Sequence, residues 1–526
     1  MSKKLSELTI DSLDYVRRIR GNVHGSIGIS RLEDLVISHP TLQRLRRIKQ
    51  LAFLSYVFPG ATHTRFEHSL GVMHLAGDTW QKMLANQLRL YRGCEKYDKF
   101  AQREKNTNRN MVHGLLAPTF DVLADVFSSG YTLQALRLAA LMHDLGHPPF
   151  SHSGERFLPS WKAVRDSLED QGGFIFDYLD SRCNALKEKG VDPKLIAVRH
   201  EVFTLLLVEK VFKEVYASGE DAGEHAVTAR DVISIICPDI EPSESSILWN
   251  NGVYKLCHEL ISGELDLDRM DYLLRDSKEC GVVYGIFDDK RIQDSLTIYH
   301  DPKDSSLHLA ITMSGLAAFE DYLRARHSMY LQVYFHKTSV AAESMIQSLA
   351  SYLHEWKLPV NLQEYIKYDE YSIGPRLLSE AESRLNAKDF ADFSRILNDL
   401  LWNRRLWKRV YEVSTRSGQS DLHNVLEHAA KIIKEEGGLY EIVSTSNSLT
   451  TFRPREENET SKNYLRLIKK DEFQFPRVVP IEDQSNIVDN NDFVRISRIY
   501  VDDPKGVSLP KKIKMALRAK LDMGLS

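Results

Sequence analysis

Two histidines and two aspartates stand in frames that suit a metal site: His68, the adjacent pair His143 and Asp144, and Asp268. The frames read TRFEHSLG over 64–71, LMHDLGH over 141–147 and LDLDRMDY over 265–272. Two imidazoles with two carboxylates fit a divalent ion of intermediate hardness, such as manganese or iron, better than a thiolate-seeking one. An ion held in this way can activate water for attack on a phosphoester.

The elements that must position these groups can be read from the flanking residues. Consecutive side chains point about 100° apart in mid-helix, so His143 and Asp144 converge on one ion only at a helix end. Leu133, Leu136, Ala140 and Leu141 repeat at helical spacing up to that pair. Gly146, expected as a left-handed cap, and Pro148-Pro149 then stop the helix. A lone HD dipeptide is nearly meaningless, but His147 and His152 follow in the same short loop. The bland alternative is a capped helix end with surface imidazoles.

His68 falls near the start of a second helix with Thr64 as N-cap, and Arg65 places a permanent cation beside it. That pairing is useful for a triphosphate and costly without an anion; the alternative is a surface pair of Arg65 with Glu67. Asp268, Tyr272 and Asp276 recur at i, i+4 and i+8 and share one helix face. Leu265, Met270, Leu273 and Leu274 are interleaved with them, which predicts burial, and buried acids need a cation. Arg326, Tyr330, Tyr334 and Lys337 form a stripe on a further helix, with His336 to one side. An amphipathic helix burying its aromatics is the competing reading. The sequence has no GxxxxGK[ST] and no GxGxxG, so phosphates must be held by side chains and metal.

The chain has 526 residues, more than one hydrophobic core usually serves, which predicts two lobes. A mainly helical core is expected over 1–345, with insertions near 90–131 and 155–198 and short strands at 25–30 and 306–312. Over 346–526 helices are expected to about 436, then an α+β segment with strands near 439–445, 463–470 and 495–501. A net charge of −4 excludes a global basic field, so a polyanion site must be local. Five scattered cysteines without a CxxC pair point away from zinc knuckles and disulfide frameworks and toward a reducing cytoplasm. The first 20 residues lack an apolar signal segment, and no apolar run approaches the ~20 residues of a membrane span. The basic run Pro510–Lys514 is by default a solvated tail and leaves single-stranded nucleic acid as a second partner class.

Taken together the blocks carry a resemblance. Gln43–Leu51 (QRLRRIKQL), Phe58-Pro59-Gly60-Ala61, RFEHSLGV at 65–72, HDLGHPPFSH at 143–152, LDLDRMDYLLRDS at 265–277 and Tyr334-Phe335-His336-Lys337 occur in one order between about residues 20 and 345. The chain resembles HD-superfamily deoxynucleoside triphosphate triphosphohydrolases (dNTPases), relatives of bacterial dNTPases and of the animal SAM-and-HD-domain dNTPase. The resemblance implies a mainly α fold, an HD-domain helical core with a C-terminal α+β lobe. It implies hydrolysis of a dNTP to deoxynucleoside and inorganic triphosphate, by attack at the α-phosphorus with departure of the 5′-oxygen. The four metal ligands above would hold manganese, iron or magnesium, with an additional magnesium on the phosphates. His152 and His200 match the catalytic histidines, with Glu155 orienting the first. Arg65, Arg269, Tyr272 and Arg326 would hold phosphates, and His147 is counted with the substrate-binding residues. Gln50, Leu51 and Tyr334 would meet the sugar, Tyr334 excluding a 2′-hydroxyl, while Asp276 lies near the 3′-hydroxyl and His336 borders the base. Arg46 stands at a position associated with a regulatory nucleotide, and assembly as a tetramer or hexamer is implied.

Two departures stand out. Arg269 replaces a frequent Lys, and either cation suffices. Ser38 stands where the animal enzyme reads its activating guanine nucleotide with an acid, which leaves the nucleotide preference open. HD scaffolds also serve phosphodiesterases, 5′-nucleotidases and alarmone hydrolases; the set Gln50, Arg326, Tyr334 and His336 favours a dNTP over these. A nucleotide or nucleic-acid sensor with a vestigial site is the reading from a different class, and the intact ligands and both histidines oppose it.

Overall fold

A helix buried on all sides, Gly130–Met142, runs through the middle of the ligand-bearing half: every residue in it except Tyr131 is buried, as expected of a helix apolar all round. Arg65–Glu104 and Ala229–Ile236 pack against it, Leu267–Cys280 packs on the former and His200–Ala217 on the latter. These elements come from a computed structural model that describes residues 12–104, 129–300, 306–416, 430–431, 433, 439–448, 465–470, 476–489, 493–502, 511 and 513–515. The three ligand frames therefore meet at the ends of neighbouring helices. His68 is in the first turn of Arg65–Glu104, His143 and Asp144 follow the end of Gly130–Met142, and Asp268 opens Leu267–Cys280.

An antiparallel hairpin of β1 (Tyr15–Gly21) and β2 (Gly25–Ser30) precedes the helices. The buried Arg137 fastens it, donating to the carbonyl of Gly28 at 2.7 Å and pairing with Glu33 at 2.7 Å. Further along come β3 (Leu296–His300), β4 (Leu307–Thr312), β5 (Lys408–Arg416), β6 (Tyr440–Ser448), β7 (Arg466–Lys470), β8 (Pro476–Pro480) and β9 (Phe493–Val501). One sheet has the order β3-β4-β7-β8, with β4 and β7 parallel, and the other has β9 between β5 and β6. A continuous apolar core includes residues from Leu13 to Tyr500. Among the described residues no helix is long and apolar enough to cross a membrane.

The strands expected at 25–30, 306–312 and in the last hundred residues are present. The helices expected to about 436 are interrupted: after Asp399–Asn403 the chain enters the extended strand β5, which Val410, Val413 and Thr415 help carry, and Ala430, Lys431 and Ile433 are helical again. The helix Arg65–Glu104 runs on into the first expected insertion, whose positions 105–128 lie outside the described residues, as does the Gly437-Gly438 break. The second expected insertion holds two short helices, Trp161–Asp166 and Phe174–Glu188. Gly146 is not a left-handed cap. It is absent from the positive-φ positions, and a Cβ there would strike the backbone of His200 and Thr204, so close helix approach is what requires glycine. The stripe from Arg326 to Lys337 is also broken: a wide turn at Tyr330–Tyr334 ends the first helix, and Lys337 opens the next.

Candidate metal centre and cavity

Each ligand is set by local chemistry at a helix end. Glu67 accepts from the Thr64 backbone N–H at 3.1 Å, satisfying a donor that the helix start leaves open. Arg65 is thereby free of Glu67 and donates instead to Asp144 and, at 3.0 Å, to Ser151 Oγ. Asp266 caps the Asp268 helix by accepting from the Arg269 N–H at 2.7 Å, and burial pushes its carboxyl up to about 7 despite Arg269. After His143 the chain turns through Phe150 and Ser151, both at positive φ (65° and 52°). Such conformations cost on the order of 1 kcal/mol or more each. They are over-determined here: the Phe150 N–H donates to Glu370 at 2.8 Å, and Ser151 Oγ donates to the carbonyl of Lys49 at 2.7 Å.

His68, His143, Asp144 and Asp268 converge. His68 Nε2 lies 2.9 Å from Asp268 Oδ1 and 3.6 Å from Asp144 Oδ2. His143 Nε2 lies 3.5 Å from Asp144 Oδ1 and 3.6 Å from Asp268 Oδ1. The far nitrogens are tied down, His143 Nδ1 to the carbonyl of Ala140 and His68 Nδ1 to Asp271, each at 2.8 Å. Both Nε2 atoms are buried without a hydrogen-bond partner. Two orphaned imidazole nitrogens facing two carboxylates are the donor set of a divalent ion, so the residues fit a metal. Burial opposes charge on His68, but Asp268 and Asp271 raise its pKa to about 10. Burial would likewise raise Asp144, and Arg65, His143 and His147 hold it well below the carboxylate range.

A second cluster adjoins the first. Glu155 Oε1 meets His200 Nδ1 at 2.6 Å and His152 Nδ1 at 3.2 Å, and these two bonds outweigh burial to hold its carboxyl down at about 2. Glu155 thus orients both histidines, His200 more tightly than His152. His147 stacks on His200 with centroids 3.5 Å apart and faces Asp144 through Nε2 at 3.3 Å. Burial, Arg65 and His200 keep His147 neutral. His152 is 74% exposed, so of the two it is the one open to solvent.

Of these groups His143, Asp144, Asp268, His147, His152 and His200 line one side of a cavity of about 440 Å³, a volume suited to a small ligand. Gln50, Leu51, Arg65, Tyr272, Asp276 and Tyr334 line it as well. Tyr334 donates to Asp276 Oδ2 at 2.7 Å and His63 Nε2 meets Oδ1 at 2.8 Å, while the amide oxygen of Gln50 is buried without a partner. Other expected residues do not line it. Arg269 donates to the carbonyls of Gly263 and Glu264 at 2.8 and 3.3 Å; Arg326 is buried against Tyr330. His336 accepts from the Thr338 N–H at 3.2 Å beside Phe58, and Arg46 lies over the Phe66 ring on the surface.

Several contributors went unread in the sequence. Ser151 and Glu343 line the cavity, and Arg44, fully buried, donates to the carbonyls of His147 and Tyr368 at 2.9 Å. Asp271 carried a usable signal, since it sits three residues after Asp268 on the same helix. Nothing local marks Arg44, whose partners are more than 100 positions away.

The chain is similar to known proteins. Residues 287–448 match the model of an HD associated region. An uncharacterized protein of Methanocaldococcus jannaschii is 27% identical over 62% of this chain and 48% of its own length. Human deoxynucleoside triphosphate triphosphohydrolase SAMHD1 is 28% identical over 64% of this chain and 44% of its own. The chain thus spans about half the length of these relatives. A phosphohydrolase crystal structure from Bacteroides thetaiotaomicron shares the fold, with a TM-score of 0.57 at 23% identity, covering 93% of this chain and 100% of that one. Sequence and fold together relate the chain to the HD superfamily.

Proposed function

We propose that the protein is a metal-dependent phosphohydrolase of the HD type that cleaves dNTPs to deoxynucleoside and inorganic triphosphate. The observation that carries the reading is the junction of two clusters at Asp144: the convergent donor set of His68, His143, Asp144 and Asp268 on one side, and the His147, His152, His200 and Glu155 group on the other. A bound divalent ion supplies Lewis acidity and an activated water. Its identity among manganese, iron and magnesium, and an additional magnesium on the phosphates, belong to the same proposal.

The protein's own groups do the rest. Departure of a 5′-alkoxide at neutral pH needs a proton, and a histidine suits the task. With Nδ1 of both His152 and His200 on the ionised Glu155, each ring keeps Nε2 to hold or deliver that proton, that of His200 at 3.9 Å from Asp144 Oδ1. Arg65 stands where it offsets charge on phosphate oxygens, against Asp144. The Tyr334–Asp276 pair closes the sugar end, and the buried amide oxygen of Gln50 is an acceptor for a ligand hydroxyl. SAMHD1 is by its name a dNTP triphosphohydrolase, which supports this substrate class over other phosphoesters. A regulatory nucleotide, homo-oligomeric assembly and a reducing cytoplasm, the last consistent with Cys183, Cys237, Cys257 and Cys280 being unpaired among the described residues, complete the proposal.

The test is to incubate the purified protein with manganese or magnesium and each dNTP, singly and mixed, and to resolve the products by anion exchange. Deoxynucleoside plus tripolyphosphate is expected. Monophosphate plus pyrophosphate, or no turnover in any combination, overturns the reading.

A further inference from the structure

Behind His68, on the side away from the cavity, lies a buried polar relay that a four-ligand metal site does not by itself require. Asp271 Oδ2 accepts from His68 Nδ1 at 2.8 Å, and Asp271 Oδ1 accepts from His24 Nε2 at 2.6 Å. Arg275 adds two bonds, at 2.8 and 2.9 Å. Every one of these side chains is at most 4% exposed. No other charged group faces the carboxylate at ion-pair distance among the described residues.

Two further features show that the molecule is built around this contact. Gly71, one turn beyond His68, leaves room for the carboxylate, since a Cβ there would overlap both Asp271 Oδ1 and Arg275 Nη2. His24 comes from the turn between β1 and β2, and that turn grips the Asp268 helix again through Asn22. Asn22 Oδ1 accepts from Arg275 Nη1 at 3.1 Å, its carbonyl accepts from Lys278, and its amide donates to Glu279.

We infer that Asp271 and His24 are positioning residues of the metal site: Asp271 fixes the tautomer and direction of His68, and His24 makes the N-terminal hairpin part of the site. A neutral imidazole has one lone pair, and an acceptor at Nδ1 puts the proton there and the lone pair at Nε2, toward the ion. The hydrogen bond also raises the basicity of the ligating nitrogen. Asp271 stays in line only while all of its donors hold, and one donor belongs to a hairpin more than 40 residues from His68 in sequence. Displacement of that turn therefore reaches the ion through a chain of three hydrogen-bonded side chains. The inference rests on the metal reading of the site and goes beyond it.

The test measures metal affinity directly, with no substrate present. Metal-stripped full-length protein is titrated with Mn²⁺ against a competing chelator, and the melting temperature of each metal-free variant is recorded. Asp271→Asn is expected to weaken Mn²⁺ binding by about 10–100-fold. His24→Ala is expected to weaken it by about tenfold, and His24→Gln, whose amide can still donate to Asp271, should recover most of the loss. Wild-type affinity in both Asp271→Asn and His24→Ala overturns the inference. So does a His24→Ala defect that His24→Gln fails to restore while the melting temperature falls in step, since that is a general packing loss. If Asp271→Asn does not fold, the two His24 variants decide alone. Absence of Mn²⁺ binding by the wild-type protein would remove the metal reading and this inference with it, a result distinct from equal binding by wild type and variants.

Discussion

Two sets of residues at and behind the cavity surface, a metal wall and a proposed phosphate wall, obey different rules. On the metal wall four short side chains converge, and each imidazole has its second nitrogen tied to a fixed acceptor. Three arginines of one chemical type, all proposed for the phosphate wall, have three fates. Arg65 lines the cavity, Arg269 is turned onto backbone carbonyls at a helix start, and Arg326 is packed against a tyrosine. Short ligands reach an ion from few backbone positions, whereas a guanidinium on a long stem reaches many partners. Residue type and spacing therefore locate a convergent set of short donors well and the direction of a long guanidinium poorly.

The sharpest break is at the metal wall. Asp268→Ala removes the carboxylate that both His68 and His143 face, so metal retention and turnover should fall together to background. Metal content per chain by mass spectrometry and the anion-exchange assay give the two readouts. A variant that keeps its metal and full activity would falsify the site.

The phosphate wall gives the next contrast. Arg65→Ala should lower kcat/KM by about 10²-fold or more, the usual cost of losing a charge-stabilising donor. Arg269→Ala should act mainly on stability, because it strips two carbonyls of their donor and leaves the buried Asp266 without its cation. Its destabilisation should be about 1–3 kcal/mol, read as a shift in the denaturation midpoint. Equal loss of kcat/KM in the two variants, with stability unchanged in Arg269→Ala, would erase the distinction.

The same contrast explains what the sequence disclosed. Helical periodicity located the end that carries His143 and Asp144 and the helix that carries Asp268, and alternation located β2, β4 and β9, because those patterns follow from burying one face. The tie between Glu155 and His200 spans 45 positions, and that between His24 and Asp271 spans 247, so no local pattern encodes either. Gly146 shows a different limit. Its type was read as backbone freedom, when the cause is the approach of the His200 helix. The strand β5 was missed for want of the partner β9, which is 78 positions away at the register pair Arg416 and Val494 and 93 at Lys408 and Val501.

At the end of the cavity proposed for the sugar stands Tyr334, whose hydroxyl is held by Asp276 at 2.7 Å. Tyr334→Ala opens that end and leaves Asp276 with His63 alone. The ratio of kcat/KM for a dNTP over its ribonucleotide should fall by roughly 10-fold or more, as expected when a pocket loses a steric or polar barrier. Wild-type selectivity in this variant would show that another residue gates the sugar.

The smallest effect is expected farthest from either wall. Arg46 lies on the surface with its guanidinium 3.6 Å from the centroid of Phe66 and donates to Gln43 at 2.8 Å. An exposed cation–π contact is worth about 0.5–1 kcal/mol, so Arg46→Ala should shift the melting temperature by only a few degrees. Its turnover of a single dNTP at saturation should stay near wild type, because Arg46 does not line the cavity. What should change is the response to mixtures, if the cation serves a regulatory nucleotide rather than its own helix. Initial rates for each dNTP alone and with a second dNTP at fixed concentration separate the two roles. Equal stimulation in wild type and Arg46→Ala assigns Arg46 to the packing of the Arg65 turn, and loss of stimulation alone places a binding surface on the outer side of Phe66, the residue next to Arg65 in the chain.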